Sequence, residues 1–272
     1  MREPERKLEL HIEIHGRGPT LLLAHGLGGS ARNFRPQVRV LGDRYRFVLF
    51  DLLGHARSAA PQERERYRTA AGIADVERVL AAAHVERAVV GGLSLGAALA
   101  LQFALMHPAR VRGLILASYP ARPESGGLAA VAADFAAVLE REGCEAAGAR
   151  FVWGPESGLD PVAKRLVRQG FRQHDPQALA HWLREFIATL PPIADIAPQL
   201  RATALPVLLI AGEQDFPSLA AAQEWSAALP EAYLVVIPRA GHVVNVEQPA
   251  AFNAALVAFE HSAVPEKEKY VC

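Results

Sequence analysis

A single serine stands between two glycines in the stretch Gly92-Leu93-Ser94-Leu95-Gly96. An apolar run with β-branched residues precedes it and an Ala/Leu-rich helical pattern follows it, so we expect a sharp strand-to-helix turn at Ser94. Glycine on both sides leaves room for this turn, because Cβ atoms there would collide with the neighbouring backbone. Such a turn would hold the Ser94 hydroxyl at the carboxyl edge of a sheet as a nucleophile. The alternative is a plain Gly/Ser loop that joins two core elements.

A serine nucleophile needs a base, because its hydroxyl reacts poorly near neutral pH, and imidazole with a pKa of about 6.5 is suited to that role. The chain has 10 histidines. We expect His242 to be the base, since it follows the last predicted strand and Ser…Asp…His is the chain order of a nucleophile elbow. His25 and His55 are rivals on neighbouring loops, although His25 precedes a Gly-rich turn that it could simply shape.

The imidazole in turn needs a carboxylate that fixes its tautomer. Asp215 follows a predicted late strand, and functional residues of an open parallel sheet gather at the carboxyl ends of its strands. Glu213 lies in the same loop and is the alternative acid. Either side chain could instead cap the helix that begins near Pro217.

Two backbone N–H groups are candidates for binding the negative charge of a tetrahedral intermediate. The N–H of Leu95 opens a predicted helix, where the helix dipole favours an anion. The N–H of Leu27 lies in the Gly-rich turn His25-Gly26-Leu27-Gly28. A plain turn made possible by its glycines is the alternative interpretation of that second segment.

The elements that must position these residues alternate along the first part of the chain. Residues 8–15 alternate between apolar and polar, which predicts a half-exposed strand near a sheet edge. Continuous apolar runs predict buried strands at 20–24, 46–51, 85–91 and 111–118, separated by predicted helices at 33–41, 68–84 and 95–107. This alternation predicts parallel strands with covering helices, an α/β fold.

Residues 119–198 interrupt that alternation with helical patterns alone, at 128–141, 161–171 and 176–190, and prolines punctuate their end. A strand at 205–211, a helix at 218–228, a strand at 233–237 and a helix at 249–259 then restore it. We therefore predict a core built from 1–118 and 199–272, with a helical cap (lid) at 119–198. Residues 263–272 are expected to form a solvated tail.

Composition narrows the class of protein. The 272 residues carry 29 basic and 29 acidic side chains and are 51% hydrophobic, which favours a large core and argues against a nucleic-acid partner. Two cysteines, a charged N-terminus and the lack of a long apolar run predict a soluble cytoplasmic protein with no membrane partner. We expect a monomer or homodimer that uses no metal and no cofactor.

These residues together resemble the α/β-hydrolase superfamily, in particular its small capped serine hydrolases such as esterases and enol-lactonase-like enzymes. The resemblance rests on His25-Gly26, the 51–58 loop, the Ser94 turn, Asp215 and Gly241-His242. It implies a mostly parallel eight-stranded sheet with a lid between the sixth and seventh strands. Ala56 departs from the glycine usual in the 51–58 loop of such relatives, which concerns loop shape rather than chemistry.

The expected substrate is a small carboxylic ester or lactone, because relatives that dehalogenate or open epoxides use an aspartate nucleophile in place of serine. A C–C bond hydrolase or thioesterase with the same three residues is the alternative, and a non-catalytic ligand sensor or partner-binding protein is a third. Trp153, next to Gly154-Pro155, is the candidate substrate contact of the lid. An anionic substrate could use one of five lid arginines, although a solvated helix face explains them equally: Arg150, Arg165, Arg168, Arg172 and Arg184.

Overall fold

The computed structural model describes residues 9–120, 127–155 and 157–263. Its seven strands form one sheet in the order β1-β3-β2-β4-β5-β6-β7. Only β1 is antiparallel to its neighbour, β3, and all other neighbouring pairs are parallel. The strands are β1 (Ile12–His15), β2 (Thr20–Ala24), β3 (Arg46–Phe50), β4 (Ala88–Leu93), β5 (Val111–Ala117), β6 (Val207–Gly212) and β7 (Tyr233–Ile237).

Helices cover both faces of this sheet and fill the interval between β5 and β6. They are α1 (Arg35–Leu41), α2 (Thr69–Ala82), α3 (Leu95–Met106), α4 (Gly127–Phe151), α5 (Pro161–Phe171), α6 (Pro176–Glu185), α7 (Ile193–Ala202), α8 (Phe216–Ala228), α9 (Val244–Glu247) and α10 (Pro249–Ala263). None of the helices in the described ranges is long and apolar enough to cross a membrane.

The central strands are buried on both faces, as their continuous apolar runs predict. Alternate residues of β2 enter separate cores: Leu22 packs with the helices on one face of the sheet, while Leu21 and Leu23 pack on the other. The edge strand β7 leaves Tyr233 and Val236 exposed. The α/β architecture and its mostly parallel sheet are therefore confirmed.

The expected eighth strand is absent from the described residues. Each of the seven strands corresponds to one of the seven apolar or alternating runs of the sequence. The first strand, β1, begins only at Ile12, because the backbone bends at Leu10, whose side chain is buried in the core. The helical interval consequently follows the fifth strand of this sheet rather than the sixth.

The helices of that interval differ from their sequence patterns at both ends. The first continues to Phe151 through a kink at Gly143, whose φ of 77° suits glycine. The last, α7, runs through Pro198, where the sequence suggested a break. Its buried face, with Ile196 and Leu200, packs against α8 of the core. The predicted boundary at residue 198 falls inside α7, and the division into core and cap stays a prediction.

Candidate active site

Ser94 occupies the turn between β4 and α3, with φ 54° and ψ −116°. This backbone conformation is strained for a residue with a side chain, and its N–H is anchored by donating to the carbonyl oxygen of Ala117 at 2.8 Å. A Cβ atom at Gly92 or Gly96 would collide with the carbonyl oxygen of Ala24 on the neighbouring strand. The two glycines therefore permit the turn that presents the Ser94 side chain above the sheet edge.

The residues of the two candidate anion-binding N–H groups, Leu27 and Leu95, line the same cavity as Ser94. Leu95 is the first residue of α3, so its N–H has no acceptor within the helix. Leu27 lies in a turn that is closed by the N–H of Gly29 donating to the oxygen of Gly26 at 3.0 Å. Gly28 in this turn has a φ of 71°, and a Cβ there would enter the ring of Phe171 from α5. Helix α5 is thus seated directly on the turn that contains Leu27.

His242 and Asp215 are hydrogen-bonded, with Nδ1 of the imidazole 2.7 Å from Oδ2 of the carboxylate. The Asp215 side chain is only 8% exposed, whereas that of His242 is 37% exposed and lines a cavity. Glu213, the alternative acid, accepts instead from the backbone N–H of Arg239 at 3.0 Å. Of the two loop carboxylates, Asp215 is therefore the one in contact with the imidazole.

The pair shifts the pKa of both members. Burial favours the neutral imidazole of His242, but the adjacent Asp215 carboxylate outweighs it and raises the pKa of His242 above 6.5. Burial likewise acts to raise the pKa of Asp215, but the charge and hydrogen bond of His242, with hydrogen bonds from Ser218, lower it below 3.8. Near neutral pH Asp215 is therefore ionised, which orients Nδ1–H of His242 toward the carboxylate and leaves Nε2 of the neutral imidazole able to accept a proton.

One cavity of about 380 Å³ brings the candidate residues together. It is lined by Ser94, His242, Asp215, Leu27 and Leu95 from the core, and by residues of α4, α5 and α6 on the opposite side. The structure thus places the nucleophile, base, acid and both N–H donors of the prediction around a single volume of a size typical for small-molecule sites.

Trp153 does not belong to the lining of that cavity. Its indole packs over Gly148, where the missing side chain leaves space, and meets Phe171 edge-to-face at 5.6 Å between ring centroids. Phe171 is the ring that faces the cavity. The structure therefore corrects the expected direct substrate contact of Trp153 to a position one layer behind it.

The rival histidines act as neutral supports of the turn around Leu27. Nε2 of His55 accepts the N–H of Gly28 at 3.1 Å, and Nε2 of His25 accepts the N–H of Leu52 at 3.0 Å. Each ring donates its Nδ1–H to a backbone oxygen. Burial lowers the pKa of His25 to about 4 and that of His55 well below 6.5, so both stay uncharged at neutral pH.

Glu247 is a further residue beside His242 that sequence reasoning missed. Its carboxylate accepts the N–H groups of Gly241 and Val243, each at 3.1 Å, and so spans His242 from both sides. It also accepts the N–H of Asp160 at 3.2 Å. A glutamate at the end of the four-residue helix α9 gives no periodic signal in the sequence, so only the folded structure reveals it.

A third histidine, His174, ties the helical insertion to the same turn. Its two ring nitrogens lie 2.6 Å from the oxygen of Gly170 and 2.9 Å from that of Gly29.

In the 51–58 loop, Asp51 is buried and binds the N–H of Ala31 and the guanidinium of Arg57. Ala56, which replaces the usual glycine, takes a φ of 44°, a conformation that glycine adopts at lower cost.

In the described ranges, no group of three or more His, Cys, Asp or Glu side chains is arranged to hold a metal ion.

Known proteins resemble the chain over nearly its whole length. Residues 19–249 match the model of the alpha/beta hydrolase fold family. An Agrobacterium fabrum protein named "Putative carbamate hydrolase RutD" is 31% identical over 270 residues, covering 92% of this chain and 97% of the relative.

Solved structures give the same result. A thermophilic esterase from Thermogutta terrifontis superposes with a TM-score of 0.83 at 26% identity, covering 94% of both chains. The enol-lactonase from Burkholderia xenovorans reaches a TM-score of 0.79 at 26% identity, covering 93% of this chain and 96% of the lactonase. The family model covers most of the chain, and the mostly parallel sheet and the Ser94 turn agree with it. The chain therefore belongs to the alpha/beta hydrolase family.

Proposed function

We propose that this protein is a serine hydrolase that cleaves a small carboxylic ester or lactone. The observation that carries the proposal is the 2.7 Å bond between His242 Nδ1 and Asp215 Oδ2, in a cavity that Ser94 also lines. An imidazole held by an ionised carboxylate is the base that a serine nucleophile requires.

In the proposed reaction, the hydroxyl oxygen of Ser94 attacks the substrate carbonyl carbon while Nε2 of His242 takes the hydroxyl proton. Asp215 stabilises the imidazolium that forms. The N–H groups of Leu27 and Leu95 bind the developing oxyanion, an interaction for which one donor is typically worth about 100- to 1000-fold in rate. Nε2 of His242 then gives its proton to the leaving oxygen, and water, activated by the same nitrogen, hydrolyses the acyl-enzyme.

Three of the similar proteins support a carbonyl substrate with a heteroatom leaving group. The names of the relatives describe an esterase, an enol-lactonase and a carbamate hydrolase, whose substrates all share an acyl carbon bonded to oxygen or nitrogen. We favour an ester or lactone for this chain because the two structural relatives act on those bonds.

The helical insertion serves in this proposal as a cap on the site. Helices α4, α5 and α6 supply the cavity wall opposite Ser94, including Phe135, Phe171 and Leu183. Such a cap would exclude water from the acyl-transfer steps until the leaving group departs.

Labelling with a fluorophosphonate, which reacts with activated serines, tests the nucleophile. We expect the wild-type protein to be labelled and Ser94→Ala to lose the label, together with roughly six orders of magnitude of ester turnover. Ser226→Ala, on α8 and outside the cavity lining, is the matched control and should retain the label. Wild-type turnover of p-nitrophenyl acetate by purified Ser94→Ala would refute the mechanism.

A further inference from the structure

The wall of the cavity carries no cationic side chain among the described residues. Of the described residues that line it, only His242 and Asp215 are ionisable, and the other polar side chains are neutral amides and hydroxyls. Most of the remaining surface is aliphatic or aromatic, as at Phe135, Phe151 and Ile187. A substrate carboxylate beyond the scissile bond would therefore lose its hydration without gaining a counterion.

The arginines of the insertion do not change this picture. None of the five that could bind an anion lines the cavity. Arg168 and Arg172 both pair with Glu145, and Arg184 pairs with Glu140 at 2.8 Å. These cations are thus engaged with carboxylates of the insertion itself.

The mouth of the cavity is apolar as well. Leu166 of α5 is 51% exposed and Phe216 at the start of α8 is 76% exposed, yet both line the cavity. Large apolar side chains that are exposed and continuous with a cavity mark a surface that an apolar ligand covers. Leu166 and Phe216, which we term the apolar rim, extend the site from the buried wall to the surface.

We propose that the site selects uncharged esters or lactones with an extended apolar chain, and that this chain leaves the cavity across the apolar rim. The inference rests on the proposed function and adds its substrate class. It separates this chain from enzymes whose substrates carry a second carboxylate, because the described residues of the cavity offer that group no cationic partner.

A homologous ester set tests the chain preference. Hydrolysis is followed by pH-stat titration of the full chain with monomeric esters that are lengthened on the acyl side (methyl butanoate to methyl octanoate) or on the alcohol side (butyl acetate to octyl acetate). We expect kcat/KM to rise roughly threefold to fourfold per added methylene on the side that meets the rim. Equal rates along both series would overturn the inference.

A charged partner of the shortest ester tests the exclusion of anions. Monomethyl butanedioate carries a terminal carboxylate on a chain of the same length as methyl butanoate, so its carboxylate stays close to the scissile bond and does not pass the apolar rim. We expect its kcat/KM to be lower than that of methyl butanoate by on the order of 100-fold, because the carboxylate meets the apolar wall of the cavity. A preference for the carboxylate ester would contradict the inference.

Variants of the rim locate the chain. Leu166→Ser and Phe216→Ser should each lower the octanoate-to-butanoate ratio of kcat/KM, or the corresponding alcohol-side ratio, by about tenfold. Val162→Ser is the matched control, since Val162 is 54% exposed on the same helix but does not line the cavity, and it should leave the ratio unchanged. Unchanged ratios in both rim variants would refute the route across the rim.

Failure of the proposed function is distinguishable from failure of this inference, because in the former case no ester is hydrolysed and Ser94 is not labelled.

Discussion

Removing the Glu247 carboxylate should lower kcat by shifting His242, the proposed base, although the substitution leaves the His242 side chain itself unchanged. In Glu247→Ala the N–H groups of Gly241, Val243 and Asp160 lose their acceptor. A hydrogen bond to a charged group is worth about 1.5–3 kcal/mol when buried. Glu247 is partly accessible, so water can replace some of this, and we expect a loss of about 2–4 kcal/mol in stability.

The catalytic effect follows from the position of His242 between two of those N–H groups. A shift of about 1 Å in a reacting group can cost on the order of 100-fold in rate, so we expect kcat to fall by about 10- to 100-fold with KM little changed. Glu247→Gln keeps one oxygen for Gly241 and Asp160 but turns an NH₂ toward Val243, so its loss should be intermediate. The charge of Glu247 also helps to raise the pKa of His242, and both variants should therefore move the midpoint of the kcat/KM–pH profile downward.

Steady-state kinetics across pH and thermal unfolding of the same samples check these expectations. Glu213→Ala is the matched control: it removes a carboxylate that caps one backbone N–H in the neighbouring loop, and its kcat should stay within about twofold of wild type, since no reacting group moves. A Glu247→Ala protein with wild-type kcat and an unshifted pH midpoint, whatever its melting temperature, would refute the positioning role.

Two further predictions concern the base and the turn around Leu27. Because only neutral His242 accepts the proton and Asp215 raises its pKa above 6.5, kcat/KM should rise with pH to a plateau with a midpoint above 6.5. Asp215→Asn should lower this plateau by roughly 10⁴-fold and move the midpoint to lower pH. A pH-rate profile of Asp215→Asn with the wild-type midpoint would contradict the pairing of Asp215 with His242. His55→Phe removes the acceptor of the Gly28 N–H and should reduce kcat by about 10- to 100-fold, because the Leu27 N–H is displaced. The control is His84→Phe, a surface change on the loop after α2, which should leave kcat near wild type. Equal kcat in the two variants would contradict the role of His55.

Much of the core could be predicted because its information is local. The apolar runs match β5, β6 and β7 to within one or two residues at each end, since a buried parallel strand needs apolar side chains on both faces. The Ser94 turn is equally local, because steric demands fix glycine at both flanking positions. Chain order then singled out His242 and Asp215, and the structure places these two side chains in contact.

The remaining features depend on contacts that no periodicity records. Trp153 looked like a pocket residue from its Gly-Pro neighbours, but the space above Gly148 decides where its ring packs. The bonds of His55 to Gly28 and of His174 to Gly29 join segments that are 27 and 145 residues apart in the chain. Pro198 signalled a helix end, yet the buried residues on either side of it keep α7 continuous.

The contact between Phe171 and Gly28 couples a movement of α5 to the geometry of the turn that contains Leu27. The ring fills the space where a side chain at residue 28 would stand, and His174, three residues later, reaches the oxygen of Gly29. Any outward swing of α5 would withdraw both contacts from the turn in one movement. In the proposed mechanism, opening the entrance would therefore loosen the Leu27 turn that binds the oxyanion, so the open protein would bind an ester but be less able to cleave it.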